Sequence, residues 1–555
     1  MKPIPRRFPM TRRIYALLLG TAIVVAGGGT PGAARTESDE RTALHVLNRI
    51  TFGPRPGDVA HVQQMGVARF IDEQLHPERI PDTAVASRLD GFETLHLSAR
   101  EIAERYEIPT IQARLERQKQ AGDNATDPPA PPQTPQQAAM DPERLRANLP
   151  LVELSEQRVI RAVYSDRQLD EVLTDFWFNH FNVDARKGQT RYMITEYERD
   201  AIRPHVLGHF RDLLGATAKS SAMLFYLDNW MSADPNGVHP DRARPDAAAF
   251  GARLRQRRAQ FRQAPQAGQS QPRLPVQGQQ AAKRPTGLNE NYGRELLELH
   301  TLGVDGGYTQ KDVTEVARAF TGWTIQTPRL GGEYRFAPAL HDDGEKRVLG
   351  HVIRSGGGER DGEQVLDIVA RHPSTARFIS TKLARHFVSD TPPQSLVDRM
   401  AATFTKTDGD LRAVMTVLLT SNEFLSPEAD RVKVKNPFEF VVSSLRATGA
   451  EIRNAAPVVR AIGQLGMPLY QCQPPTGYKD TAETWVNTGA LVNRMNVAAS
   501  IAGGQMPGVR LQGAPSAEAV VGVSLSDATR TTIARAQNAE QALALALGSP
   551  EFQRR

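Results

Sequence analysis

Two runs of this sequence combine carboxylates and amides at a spacing suited to proton transfer or ion binding. Asp175, Asn179 and Asn182 lie in Asp170-Glu-Val-Leu-Thr-Asp-Phe-Trp-Phe-Asn-His-Phe-Asn182. At about 100° per residue on an α-helix these three share a strip roughly 60° wide. Phe176, Trp177, Phe178, His180 and Phe181 clothe the rest. A helix so clad belongs in a core. There an unpartnered amide or carboxylate costs on the order of 1 to 3 kcal/mol, so the strip must meet other polar groups, water, an ion or a cleft. Asn291, Glu295 and Glu298 repeat the pattern in Leu288-Asn-Glu-Asn-Tyr-Gly-Arg-Glu-Leu-Leu-Glu-Leu-His-Thr-Leu302, flanked by Glu290 and Arg294.

If the strips face each other they enclose an oxygen-rich pocket, which Asp228, Asn229 and His205 or His209 would extend. Three outcomes stay open. The pocket holds a divalent cation, with oxygen ligands suiting calcium, magnesium or manganese better than zinc. Alternatively, Glu295 and Glu298 exchange protons opposite Asp175, crowding having split their pKa values. In the third, Arg294 closes a purely structural network. In the first two, Asn179, Asn182, Asn291, Arg294 and Asp228 are the substrate-contacting groups. A solvated Glu290, Arg294, Glu298 ladder is the plainer reading of the second strip. His180 and His300 project from apolar faces and read as hydrogen-bonded core histidines.

The elements that must position these groups are helices. Apolar residues at three and four spacing predict helices over Thr42–Ile50, Asp58–Leu75, Leu154–Tyr164, Asp170–Asn182, Thr195–Ala216, Glu290–Leu302, Asp312–Thr321, Ser374–Val388, Asp410–Asn422 and Pro437–Thr448. Thr309 with Asp312 reads as a capping box and Asp410 as a helix cap. Only Glu333–Phe336 and Val348–Ile353 look strand-like. The expected fold is mainly α, a large multi-helix bundle-like body with at most a small β-hairpin and two disordered insertions. These insertions, Gln118–Pro142 and Asp241–Pro285, lack apolar periodicity. The expected parts are a leader over 1–34, helical 35–117, a linker over 118–150, helical 151–240, a basic insertion over 241–286, and helical 287–430 and 431–555.

A length of 555 residues with 40% hydrophobic content provides for sizeable cores, and a single cysteine excludes an internal disulfide framework. Cys472 reads as a buried small side chain. The formal net charge of +6 resides in two appendages. Residues 1–34 carry five Lys or Arg and no acid, while 241–285 carry ten against two Asp. No compact basic face remains, which argues against a specific nucleic-acid binder. An arginine-rich start, an apolar run Ile14–Ala26 and small residues to Ala34 read as an export signal cleaved after Ala34, of either the twin-arginine or the general type. The mature chain is expected in the periplasm or outside the cell, with no transmembrane segment. HExxH, CxxC, GxSxG and Walker patterns are absent, and the one GxGxxG, at Gly27, Gly29 and Gly32, falls inside the signal.

Several ordered motifs accompany the strips: Phe176-Trp-Phe-Asn-His-Phe-Asn182, Tyr226-Leu-Asp-Asn229, Leu288 to Gly303, Gly307-Tyr-Thr-Gln310, Ala317-Arg-Ala-Phe-Thr-Gly-Trp323, His372-Pro-Ser-Thr-Ala-Arg-Phe378 and Pro474-Pro-Thr-Gly-Tyr478. Together they resemble the exported bacterial family called domain of unknown function 1800, over nearly the whole chain after the signal. Gly293 stands where relatives commonly have Ala. The resemblance implies a large, mostly helical exported protein, and a partner, since members are frequently encoded beside a sulfatase-like exported family, domain of unknown function 1501. It brings no settled activity. Roles for Glu295, Glu298 and Asp175 therefore rest on the strips. The expected function is an exported hydrolase acting on an extracellular substrate; the alternative is a non-catalytic binding or assembly protein working with the sulfatase-like partner.

Overall fold

The computed structural model describes residues 31–123, 141–237, 287–327, 331–513, 515–521 and 525–555. The expected signal lies almost wholly outside these residues, Gln118–Pro142 largely so, and Asp241–Pro285 entirely so. The described chain is mainly α. The helices that build and support the site are α1 (Pro31–Ile50), α2 (Asp58–Met65), α3 (Val67–Gln74), α4 (Pro142–Tyr164), α5 (Gln168–His180), α6 (Thr190–Glu196), α7 (Phe210–Lys219), α8 (Asn291–Glu295), α9 (Gln310–Ala319), α10 (Pro373–Phe387), α11 (Pro437–Ala447) and α12 (Ala456–Gln464).

The core gathers around α5, which buries every residue except Asp170 and Asn179. It is covered by α1, α3, α4 and a π-helical turn, Tyr197–Ile202, that continues α6. Trp177 stacks on Phe181, which stacks on Phe210 of α7, with ring centroids 6.1 and 6.4 Å apart. Trp177 Nε1 donates to Val206 O at 3.1 Å, so the one polar atom of the ring is satisfied. Each such side chain contributes roughly 1.5 to 3 kcal/mol by leaving water. Helix α8 lies against α9. A Cβ on Gly293 would sit 3.0 Å from Val313 O and 3.1 Å from Ala317 N, so glycine here lets two backbones approach.

Several expected helices change at points the chemistry explains. Asp58–Leu75 breaks at Gly66, whose φ of 92° no helix accommodates. Thr195–Ala216 is not one helix: the π turn runs into a short 3-10 turn, Arg203–His205, where Pro204 offers no N–H. Helix α4 starts at Pro142, capped by Asp141, rather than at Leu154. Helix α9 opens on Thr309 and Asp312 in the expected capping box, and Asp410 accepts from Ala413 N at 3.0 Å.

The β structure exceeds the single hairpin expected. Among the described residues three small antiparallel pairs form: β1 (Trp323–Ile325) with β2 (Tyr334–Phe336), β3 (Lys346–Val348) with β4 (His351–Ile353), and β5 (Glu451–Ile452) with β6 (Val509–Arg510). Their registers place Trp323 opposite Phe336, Lys346 opposite Ile353 and Glu451 opposite Arg510. Val348–Ile353 is a hairpin rather than one strand, because Leu349 and Gly350 both take positive φ and turn the chain.

Candidate functional site

The two strips do not close on one another as a carboxylate cluster. Asp175, expected opposite Glu295 and Glu298, instead pairs directly with Arg158 of α4. Both side chains are about nine-tenths buried. The Arg158 guanidinium also lies over the rings of Tyr470, Phe178 and Phe438, at 4.9, 5.4 and 5.5 Å. A carboxylate in an aromatic core needs a fixed cation, and α4 supplies it. Asp175 is thus part of the scaffold.

Asn179 and Asn182 face main chain. Asn179 Nδ2 donates to Tyr478 O at 2.8 Å, and Tyr478 N donates back to Asn179 Oδ1 at 2.7 Å. Asn182 Nδ2 donates to both Cys472 O and Pro474 O at 2.8 Å. The Tyr226 hydroxyl adds a 2.6 Å bond to Gln473 O. Proline has no N–H to offer, so the segment from Cys472 to Tyr478 presents mainly acceptors, and amide donors on the end of α5 satisfy them. Gly477, at φ 71°, passes so close that a Cβ would lie 2.2 Å from Asn179 O. These asparagines are clamps, and the Pro-Pro-Thr-Gly-Tyr motif is what they hold. Buried Cys472 has its thiol pushed up to about 11 by burial, then by Asp184.

Glu295 ends α8, and Glu298 lies in the π turn Leu296–Thr301 that follows. There Leu302 N reaches back five residues to Leu297 O at 2.9 Å, and the turn widens. Glu298 accepts from Tyr308 Oη at 3.2 Å. Glu295 is partly buried, and its carboxylate has no hydrogen-bond partner among the described residues. Burial pushes its carboxyl above the usual glutamate range, Glu298 adds to this, and Arg294 opposes it. Glu295 is within electrostatic reach of Tyr226, whose phenol is raised first by burial and then by Asp184, Cys472 and Glu295.

The flanking groups line the outside. Arg294 donates to Gln310 Oε1 at 2.8 Å and pairs with Glu290 at 3.6 Å, so it closes no network around Glu295. The surface ladder is half made, since Glu298 turns to Tyr308. Exposed Asn291 donates to Leu227 O at 3.3 Å. Asp228 sits at φ 59° and pairs with Lys187 at 2.8 Å, and Asn229 is buried, donating to Phe320 O and Trp323 O. His209 contacts Asp408 O at 3.1 Å, and neither it nor His205 joins the strips through a hydrogen bond. Among the described residues no three His, Cys, Asp or Glu side chains converge to hold a metal ion. With Asp175 committed to Arg158, the donor set does not fit the oxygen-ligated cation.

Tyr226 and Tyr308 stand in the sequence motifs but with no role read for them, and Arg158 and Lys382 are in none of them. Lys382 of α10 lies 2.8 Å from His180 Nδ1, and His180 Nε2 donates to His300 O at 3.1 Å. His180 is thus a satisfied core histidine, while His300 keeps its buried Nε2 without a partner. Burial, with nearby Lys382, holds His180 well below its usual range and His300 down to about 3. Burial also brings Lys382 down to about 8, against Asp480. Both histidines stay neutral in the fold but charge in the unfolded chain near pH 6.5. Their contribution to stability is therefore full above pH 6.5 and fades as pH falls toward about 3. Between pH 7 and 4.5 the melting temperature should fall less steeply for His300→Phe than for the wild type. Parallel slopes in a pH series of thermal melts would contradict this.

The clamped loop, α5 and the α8 turn are one assembly of motifs drawn from most of the chain. Residues 45–554 match the family model described as Protein of unknown function (DUF1800). The chain belongs to that family. No curated protein and no solved structure matches it. Of the strip carboxylates, Asp175 pairs with Arg158 and Glu298 accepts from Tyr308, which leaves Glu295 without a hydrogen-bond partner among the described residues.

Proposed function

We propose that the protein is an exported hydrolase acting on an extracellular substrate, with Glu295 carrying the proton. The observation supporting this is the environment of Glu295: a partly buried carboxyl with no hydrogen-bond partner among the described residues and a raised affinity for its proton. A carboxyl that holds its proton more tightly than usual can give it to a leaving oxygen and retake it from water. Burial raises the Glu295 carboxyl first, and Glu298, held by Tyr308, is the neighbouring carboxylate that adds to the rise. Asn291, Arg294 and Asp228 stand at the rim to meet polar parts of the substrate, whereas Asn179 and Asn182 act by positioning the 472–478 loop. Export rests on the arginine-rich, apolar start of the chain, and places the protein in the periplasm or outside the cell. No described helix is long and apolar enough to cross a membrane.

The test is Glu295→Gln assayed with chromogenic esters, glycosides and phosphate or sulfate esters. The wild type should turn over one class, and the variant should lose roughly 100-fold or more. Glu295 is neutral in the fold to a higher pH than in the unfolded chain, so its charge is a cost above the unfolded pKa. The variant should thus melt no lower than the wild type at pH 7.5, with any gain disappearing below about pH 4. A wild type inert toward every class, or an equally active variant, rejects the reading.

The second reading, a non-catalytic assembly protein acting with an exported sulfatase-like partner of the domain of unknown function 1501 family, draws support from the use of Asp175, Asn179 and Asn182 as scaffold. On that reading the basic 241–285 stretch is the tether. Its deletion should then weaken co-purification in a salt-dependent way, and full recovery of the partner would dismiss it.

A further inference from the structure

A groove of about 550 Å³ opens between α4 and α12, beside the segment that follows Asn182. None of the strip residues lines it. Its volume falls in the range of small-molecule sites, about 300 to 1,000 Å³. One wall is apolar, from Leu151 and Val152 of α4 and Val459 of α12. Val152 is 40% exposed, so this wall meets water.

Three guanidinium groups border the wall, from Arg186, Arg191 and Arg460. Two have a carboxylate at hand. Arg186 is bridged to Asp184 at 3.0 Å, and Arg460 is within electrostatic reach of Glu156, which also lines the groove. Arg191 differs. Its guanidinium rests 4.6 Å from the centre of the Tyr192 ring, and its Nε is buried without an acceptor. The nearby carboxyl, Glu107, is pushed up to about 7 by burial, against Gln189 and Arg191, so near neutral pH it supplies only part of a negative charge. The lining thus combines a greasy strip with one under-neutralised cation.

We propose that this groove binds a monoanionic amphiphile, an acyl carboxylate whose chain lies along Leu151, Val152 and Val459 and whose head group is held by Arg191. The site is separate from Glu295 and takes its ligand whether or not Glu295 is catalytic. The test is calorimetric titration of the full chain with octanoate, using octanol as the uncharged match. Octanoate should bind saturably at one site, at least tenfold more tightly than octanol, and more weakly as salt rises. Val152→Trp, which fills the groove from an exposed position, should lose at least tenfold. Arg191→Met should lose as much at an unchanged melting temperature; if it fails to fold, the Val152→Trp result decides. Absence of saturable binding, equal binding of octanol, or wild-type affinity in Val152→Trp overturns the proposal. Glu295→Gln should bind octanoate as the wild type does.

Discussion

Arg158→Met is expected to lower the free energy of unfolding by roughly 3 to 5 kcal/mol at pH 7. The loss comes from stranding Asp175, a carboxylate about nine-tenths buried that has no other ion pair among the described residues. The partner experiment separates this from simple loss of packing. Arg158→Met combined with Asp175→Leu removes both charges at once, and a buried pair replaced by apolar groups of similar size is often neutral or stabilising. Urea melts of the two single variants and the double should therefore show a coupling energy of several kcal/mol. Additive losses would mean that the pair contributes nothing beyond its hydrocarbon.

Gly477→Ala is expected to cost about 2 to 5 kcal/mol, from a left-handed backbone that disfavours a Cβ and from overpacking. The new methyl would lie 2.2 Å from Asn179 O and 2.5 Å from Asn179 Oδ1, so the loop must lift off α5. Asn179→Ala removes the Oδ1 and Nδ2 contacts but leaves the backbone oxygen in place. The double variant should be less destabilised than the sum of the singles by more than about 0.5 kcal/mol, because both changes open the same clamp. Limited proteolysis between Cys472 and Tyr478 gives a second readout: cleavage should rise in each single variant. A Gly477→Ala protein with wild-type melting and protease resistance would show that the loop is not held at this point.

The helices were legible because burial on one face writes a three and four spacing into the chain, and Thr309, Asp312 and Asp410 mark ends by local hydrogen bonding. The π turns were not legible. Leu296–Thr301 has the same apolar pattern as an α-helix, and its wider turn is set by what packs around it. That turn also separates Glu298 from the Glu290 and Arg294 ladder and gives it to Tyr308. The need for partners around Asp175, Asn179 and Asn182 was correctly implied by their aromatic surroundings; which partners was not. Arg158 is on another helix, and the carbonyls of residues 472–478 carry no side-chain signature at all. Tyr226 and the Pro474 to Tyr478 motif were visible as motifs, but their contact is a matter of tertiary folding.

The asparagine clamp also constrains the order of events during synthesis. Asn179 and Tyr478 are 299 positions apart, and bringing two such points together costs about 5 kcal/mol of chain entropy. A nascent chain that has completed α5 therefore holds an aromatic helix whose polar end has no cover until the distant proline-rich loop emerges. A contact between residues this far apart in sequence forms late, and a holding factor that shields the unfinished helix would raise the yield of native protein.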